Sequence, residues 1–209
     1  MNFMERKIEK IIQILQKRYK VKLVREDPFR VLIGVVLSHR TKDDTSWSAA
    51  DRLFSRAKNL NGFLKLSEKE IAKIIYPVGF YNQKAKRIKK ICRIIKEKYH
   101  GKVPNEREKL MGLPGVGLKS ANIVLSHGFG VPVIATDTHV AVISRRWHLT
   151  EHDDPDKITE DLEREIPLKY KMIFNSLLVE FGKEFCTARF PKCRICPVLK
   201  SCPYENKNL

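Results

Sequence analysis

The sequence predicts an all-α fold. Three observations carry this. Apolar residues recur at helical spacing almost throughout the 209 residues, helix-cap signatures punctuate the chain, and the two stretches with strand character are too short to build a sheet. Ile8, Ile11, Ile12 and Leu15 form an i, i+3, i+4, i+7 stripe on a first helix. Asp27 and Pro28 read as N-cap and first position of an apolar helix reaching Leu37. A polar-faced helix follows over 44–56. Ser67 with Glu70 is a capping box opening a helix through Ile75. Asn82 starts a long helix whose stop signal is Gly101. Asn105 with Glu108 marks a further cap before a short helix, which Leu113-Pro114-Gly115-Val116-Gly117 breaks. Helices over 118–127, 138–148, 155–166 and 170–181 complete the chain. Residues 21–24 and 131–134 are the strand-like stretches. There is no internal repeat and no Gly/Ser linker, so any two parts must pack tightly.

Hydrophobic residues at 43% and charged residues at 31% exclude both a membrane protein and a disordered chain. The longest apolar run, Val31 to Leu37, falls far short of a bilayer span. The first residues lack the apolar stretch of a secretory signal, so a cytoplasmic, nucleoid-associated location is expected. Lys and Arg number 41 against 24 Asp and Glu, a net charge of +17. Such an excess attracts polyanions. Nothing membrane-like accompanies it, so nucleic acid is the expected partner. Four of the five cysteines, Cys186, Cys193, Cys196 and Cys202, fall within 17 residues. Without a secretory signal they read as metal ligands rather than disulfides. Cys92, on an apolar stripe, reads as a buried thiol.

Four constellations carry chemistry. Gly115, Val116 and Gly117 lie between two helices, where outward N–H groups and a helix N-terminus can hold a phosphate; an ordinary turn is the plainer alternative. Lys119 follows in the first helical turn. That position opposes a cation, and a neutral amine can attack a sugar carbon, although a solvated lysine would look the same. Asp137 precedes a helix, which makes it an N-cap and also a candidate active-site carboxylate; His139 reads as a packed residue. The cysteine spacing x6, x2, x5 can hold zinc or a [4Fe–4S] cluster. Only one pair has zinc-knuckle spacing, and the longer loops suit the larger cube. Arg189, Lys192, Arg194 and Lys200 surround the cysteines and are suited to phosphates. The basic residues from Lys84 to Lys98 read as the solvated face of a helix whose apolar stripe is Ile88, Ile91, Cys92, Ile95 and Tyr99. Trp47 and Trp147 read as packing residues.

Together, residues 113–121, Asp137 and the four-cysteine loop resemble the endonuclease III family within the helix–hairpin–helix DNA glycosylases, and the match extends over nearly the whole chain. The resemblance implies a two-lobed helical fold. Residues 21–130 would form a six-helix domain with the hairpin, and residues 1–20 plus 131–209 a discontinuous cluster domain. It implies that Lys119 is the nucleophile, that Asp137 assists it, and that Cys186, Cys193, Cys196 and Cys202 bind a [4Fe–4S] cluster. Gly115, Val116 and Gly117 would grip DNA, and Arg189 and Lys192 would add contacts. Arg40 stands where most relatives carry a glutamine that fills the space of a flipped base, and Phe80 sits at the tip of a loop that wedges into the opposite strand. The chain continues for seven residues past Cys202, which predicts no extra C-terminal domain of the adenine-glycosylase kind. The implied activity is that of a monomeric, bifunctional DNA glycosylase and AP lyase acting on damaged pyrimidines in duplex DNA. A monofunctional uracil or thymine mismatch glycosylase shares the scaffold but usually lacks the lysine. A non-catalytic DNA-binding module would not require the Lys119/Asp137 pair.

Overall fold

The computed structural model describes residues 3–21 and 25–209, and the chain divides into two compact units, Met1–Val24 with Val131–Leu209, and Arg25–Gly130. The helices are α1 (Phe3–Tyr19), α2 (Pro28–Ser38), α3 (Asp43–Arg56), α4 (Leu60–Lys65), α5 (Glu68–Ile75), α6 (Tyr81–Lys98), α7 (Arg107–Met111), α8 (Leu118–Ile123), α9 (Thr138–Arg146), α10 (Pro155–Glu165) and α11 (Leu168–Glu184). A π-helical segment, Val124–Phe129, continues α8, and two 3₁₀ turns, Cys193–Ile195 and Leu199–Ser201, follow α11. No strand forms among the described residues. Residues 131–134 form no strand, and the Val133 N–H donates to the Val131 carbonyl at 2.9 Å; of the strand-like 21–24, Lys22, Leu23 and Val24 lie outside the described residues. No described helix is long and apolar enough to cross a membrane.

Local chemistry explains several helix starts. The Asp27 carboxylate accepts from the Arg30 N–H at 2.9 Å, with Pro28 fixing the first helical φ of α2. Ser67 and Glu70 form the expected reciprocal box on α5. Asp154 caps α10 through the Asp156 and Lys157 N–H groups. One expectation fails, and one helix lay outside the sequence reading. Asn105 does not cap α7, which begins after Glu106 with no side-chain cap bond. Helix α4 was not foreseen, because six residues are too few to show a periodic stripe; its signal was Asn59, whose side chain accepts from the Gly62 N–H at 3.1 Å.

In the Arg25–Gly130 unit the core is built by Leu32, Ile33 and Val36 of α2, Leu53 of α3, Phe63 of α4, Ile71 and Ile75 of α5, and Ile88, Ile91 and Ile95 of α6. Phe29, Phe54 and Phe63 meet edge-on or tilted at 5.0–5.9 Å between centroids. Cys92 is fully buried, and burial pushes its thiol up to about 12. In the other unit, Ile8, Ile11, Ile12 and Leu15 of α1 share one core with Val140, Ile143 and Trp147 and with Phe174, Leu177 and Phe181. Trp147 thus packs as expected. Trp47 does not: it is 56% exposed.

The basic residues of α6 are not all on a solvated face. Lys84 and Lys89 are buried. Lys84 Nζ donates to the carbonyls of Leu37 at 2.7 Å and His39 at 2.5 Å and to Thr41 Oγ1 at 2.9 Å. Lys89 Nζ donates to the carbonyls of Phe63, Leu64 and Leu66. These acceptors sit at the C-terminal ends of α2 and α4, where carbonyls lack helical partners and the dipole favours a cation. Lys84→Met keeps the apolar stem but orphans those carbonyls, at roughly 1–3 kcal/mol each. A lowered urea midpoint is expected for Lys84→Met and almost no change for the exposed Lys86→Met. Equal midpoints would show that Lys84 is no cap.

Candidate active site

The turn between α7 and α8 is anchored from below by buried Leu113 and Val116, with the Val116 N–H donating to the Leu113 carbonyl at 3.1 Å. Val116 therefore shapes the turn, with its side chain buried and its N–H taken by Leu113. Gly115 lies at φ +73° with the Arg87 guanidinium over it: a Cβ there would stand 2.5 Å from Arg87 Cζ. Gly117, the N-cap of α8, is extended (φ −92°, ψ −177°) with nothing within 4 Å of a Cβ. The two glycines are thus unequal. Gly115→Val forces a β-branched residue into the left-handed region, at about 1–3 kcal/mol, and displaces Arg87. Gly117→Ala costs little by comparison. A filter-binding titration should show duplex affinity falling about tenfold or more for Gly115→Val. An equal loss for Gly117→Ala would contradict this.

Lys119, in the first turn of α8, is exposed and lines a cleft of about 510 Å³ with His39, Arg40, Phe80, Lys84 and Arg87; no lining residue is acidic. Arg40 adopts φ +49° and its guanidinium lies 5.9 Å from the Phe80 ring centroid. Phe80 is 55% exposed, at φ +57°, immediately before α6. The two segments are locked together. The Gly79 N–H donates to Thr41 Oγ1 at 3.2 Å, and a Cβ on Gly79 would stand 2.7 Å from the Arg40 carbonyl oxygen, so only glycine fits there. His39 Nε2 and Ser120 Oγ are hydrogen-bonded at 3.1 Å. Burial lowers the His39 pKa, and the charges of Arg87, Lys84 and Lys119 lower it further. Burial and Arg87 hold Lys84 down to about 8.

Arg40, Phe80, Gly115, Gly117 and Lys119 all belong to the Arg25–Gly130 unit; Asp137, the clustered cysteines, Arg189 and Lys192 belong to the other. Asp137 is half-buried and caps α9, accepting from the Val140 N–H at 2.8 Å. The segment before it is pinned by Asn175 Nδ2, which donates to the Ala135 carbonyl at 2.8 Å, and by the Thr159–Thr136 hydroxyl bond at 2.7 Å. His139 packs against α11, where a Cβ on Gly182 would meet its ring.

Cys186, Cys193, Cys196 and Cys202 line one small hollow walled by Trp147, Phe181, Phe185 and Arg146. Burial pushes the Cys196 thiol up to about 11, and the other three sulfurs push it the same way. Burial also raises Cys186, against the pull of Arg146. Arg146 donates to Cys186 Sγ at 3.1 Å and to the carbonyls of Cys186, Thr187 and Ala188 at 2.7–3.2 Å. Four soft donors facing one hollow suit an iron–sulfur group in chemistry. As the side chains stand, no group of three or more His, Cys, Asp or Glu among the described residues forms a site for a metal ion. Arg189 and Lys192 are exposed on the same loop.

The sequence alone did not single out His39, Ser120, Arg87 or Arg146. Arg146 carried no signal, because its role depends on where the chain returns 40 residues later. Lys84 and Lys89 did carry one: each lies four residues from the apolar stripe or on it, with Lys84 before Ile88 and Lys89 between Ala85 and Cys92.

The profile of the HhH-GPD superfamily of base excision DNA repair proteins matches residues 33–168. The chain is 39% identical over 200 residues to the endonuclease III of Thermotoga maritima, covering 96% of this chain and 94% of that one. It is 36% identical over 180 residues to that of Escherichia coli, covering 86% and 85%. A trapped covalent intermediate of endonuclease III with DNA superimposes with a TM-score of 0.84 at 35% identity, covering 95% of each chain. A thermostable thymine-DNA glycosylase superimposes at 0.86 with 26% identity, covering 97% of this chain and 98% of that one. The chain belongs to the endonuclease III family of the HhH-GPD superfamily.

Proposed function

We propose that the protein is a bifunctional DNA glycosylase and DNA-(apurinic or apyrimidinic site) lyase of base excision repair, removing oxidised pyrimidines from duplex DNA and nicking 3′ to the abasic site by β-elimination. The observation that carries the reading is the exposed Lys119 amine, at the head of α8 two residues past the glycine turn, in a cleft without acidic lining. Such a cleft accepts a phosphate-flanked nucleotide, and a damaged base is the easiest to unstack. Gly115 and Gly117 hold a backbone phosphate through main-chain N–H groups, on a turn set by the Val116 N–H bond to the Leu113 carbonyl. Arg40 and Phe80 present a cation and an aromatic face to the space vacated by the extruded nucleotide. Arg189 and Lys192 add phosphate contacts from the cysteine loop.

Lys119 attacks C1′ of the damaged nucleotide. The glycosidic bond breaks and the base leaves with its electron pair, taking up a proton. The sugar ring opens to an imine on Nζ, a C2′ proton is lost, and the C3′–O bond breaks. Asp137 stabilises positive charge developing on the sugar and helps move protons. Because Asn caps a helix as well as Asp, Asp137→Asn should keep the Val140 N–H bond and the melting temperature. Base release should slow by roughly 10²–10³-fold in single-turnover assays. Unslowed release would leave Asp137 as a cap alone.

Cys186, Cys193, Cys196 and Cys202 would hold a [4Fe–4S] cluster; the four-thiol hollow and its loop spacings support this. Bound there, such a cluster would supply iron–thiolate bonds, and these four residues would tie the loop to the core through it. The likeness to a thymine-DNA glycosylase favours a second reading, in which water attacks C1′. Borohydride treatment of the wild-type protein with an abasic duplex decides between them. A covalent adduct is expected, and base excision without any adduct would assign the monofunctional class.

A further inference from the structure

We propose that His39 is a positioning residue for the Lys119 amine, acting through Ser120; this rests on the lysine reading above and extends it. Helix α8 has six residues and passes directly into the π-helical Val124–Phe129. So short a helix, widened at once to i→i+5 bonding, has little internal fixation, and its orientation must come from what its side chains touch. Buried Ala121 holds it toward the core, and near its end Arg107 Nε donates to Asn122 Oδ1 at 3.0 Å. At its first turn the hydrogen bond between Ser120 Oγ and His39 Nε2, at 3.1 Å, ties it to the segment after α2. Ser120 is 5% exposed and adjacent in sequence to Lys119, so a rotation that breaks this bond swings the amine.

His39 is itself held. Buried Lys84 donates to the His39 and Leu37 carbonyls and to Thr41 Oγ1, which fixes the turn after α2. A continuous chain of hydrogen bonds thus runs from the α6 body through the His39 backbone and ring to the residue beside Lys119. The cleft around it carries Arg40, Lys84, Arg87 and Lys119. An uncharged imidazole steadies α8 without adding a further cation next to an amine that must shed its proton, and the lowered His39 pKa agrees with that. A lysine or arginine at this position would hold Ser120 at the expense of the nucleophile.

The test is the single-turnover rate of borohydride-trappable imine formation on a saturating abasic duplex, with the duplex dissociation constant measured alongside. His39→Ala and Ser120→Ala are each expected to slow imine formation by about tenfold, as displacement of a reacting group does, with affinity unchanged. The double variant should be no slower than the slower single, because both remove one bond. His39→Gln, whose amide spans a similar distance, should recover most of the rate. Unslowed single variants, multiplying effects in the double, or a rate loss matched by lost affinity would each overturn the role of His39. A wild-type protein that never forms the adduct would instead overturn the lysine reading.

Discussion

Lys119→Gln should abolish both base release and strand nicking while leaving binding to a lesion duplex nearly intact. A polar side chain without a nucleophilic amine cannot form the imine, and loss of the attacking group removes the covalent route rather than slowing it. A fall of at least about 10³-fold in single-turnover base release is expected, with no borohydride adduct. Fold loss is not a competing explanation, because Lys119 is exposed and α8 is anchored by Val116, Ser120 and Ala121 on its other side. One cation is lost from a cleft that retains Arg40, Lys84 and Arg87, so the salt dependence of affinity should change by at most about one neutralised phosphate. Release at the normal rate without nicking would mean that water attacks C1′ and that the amine serves only the lyase step.

How much of this could be read from the chain depended on whether the signal was local. Caps at Asp27, Ser67 and Asp137 are satisfied within three residues, so the sequence displays both partners, and all three form. The glycine turn and its lysine are legible for the same reason. What stayed hidden depends on distant chain returns. Arg146 reaches the Cys186 loop, and the His39–Ser120 bond joins segments 81 residues apart. Lys84 shows how a habit of reading fails. Eight basic residues on one helix suggested a solvated face, yet the 3.6-residue period already placed Lys84 and Lys89 on the apolar side. A buried lysine is costly alone, and it is tolerable here because helix ends supply carbonyls that no sequence window contains. The same logic separates the two glycines: Gly115 needs its positive φ and Gly117 does not, a difference that the motif Leu113-Pro114-Gly115-Val116-Gly117 does not display.

Cys193→Ser should remove the iron and loosen the C-terminal lobe more than any other single change to the loop. Cys186, Cys196 and Cys202 rest against the apolar core formed by α1, α9 and α11, whereas Cys193 heads a 3₁₀ turn of three residues with no buried apolar side chain. Packing can retain the first three cysteines after a cluster is lost, but nothing comparable retains Cys193. Without the cluster, the loop is left to hydrogen bonds: Arg146 to the carbonyls of Cys186, Thr187 and Ala188, and the Lys192 N–H to the Phe185 carbonyl. Ligation free energy is folding free energy, so the loss should be on the order of several kcal/mol. Thermal unfolding should then become biphasic, with the lobe of Met1–Val24 and Val131–Leu209 melting before Arg25–Gly130. Anaerobically purified wild-type protein should be yellow-brown, with about four irons per chain, and the variant colourless. Stoichiometric zinc without iron in the wild type would overturn the cluster assignment. A Cys193→Ser protein that kept its iron would show that three of these thiols and some other donor suffice.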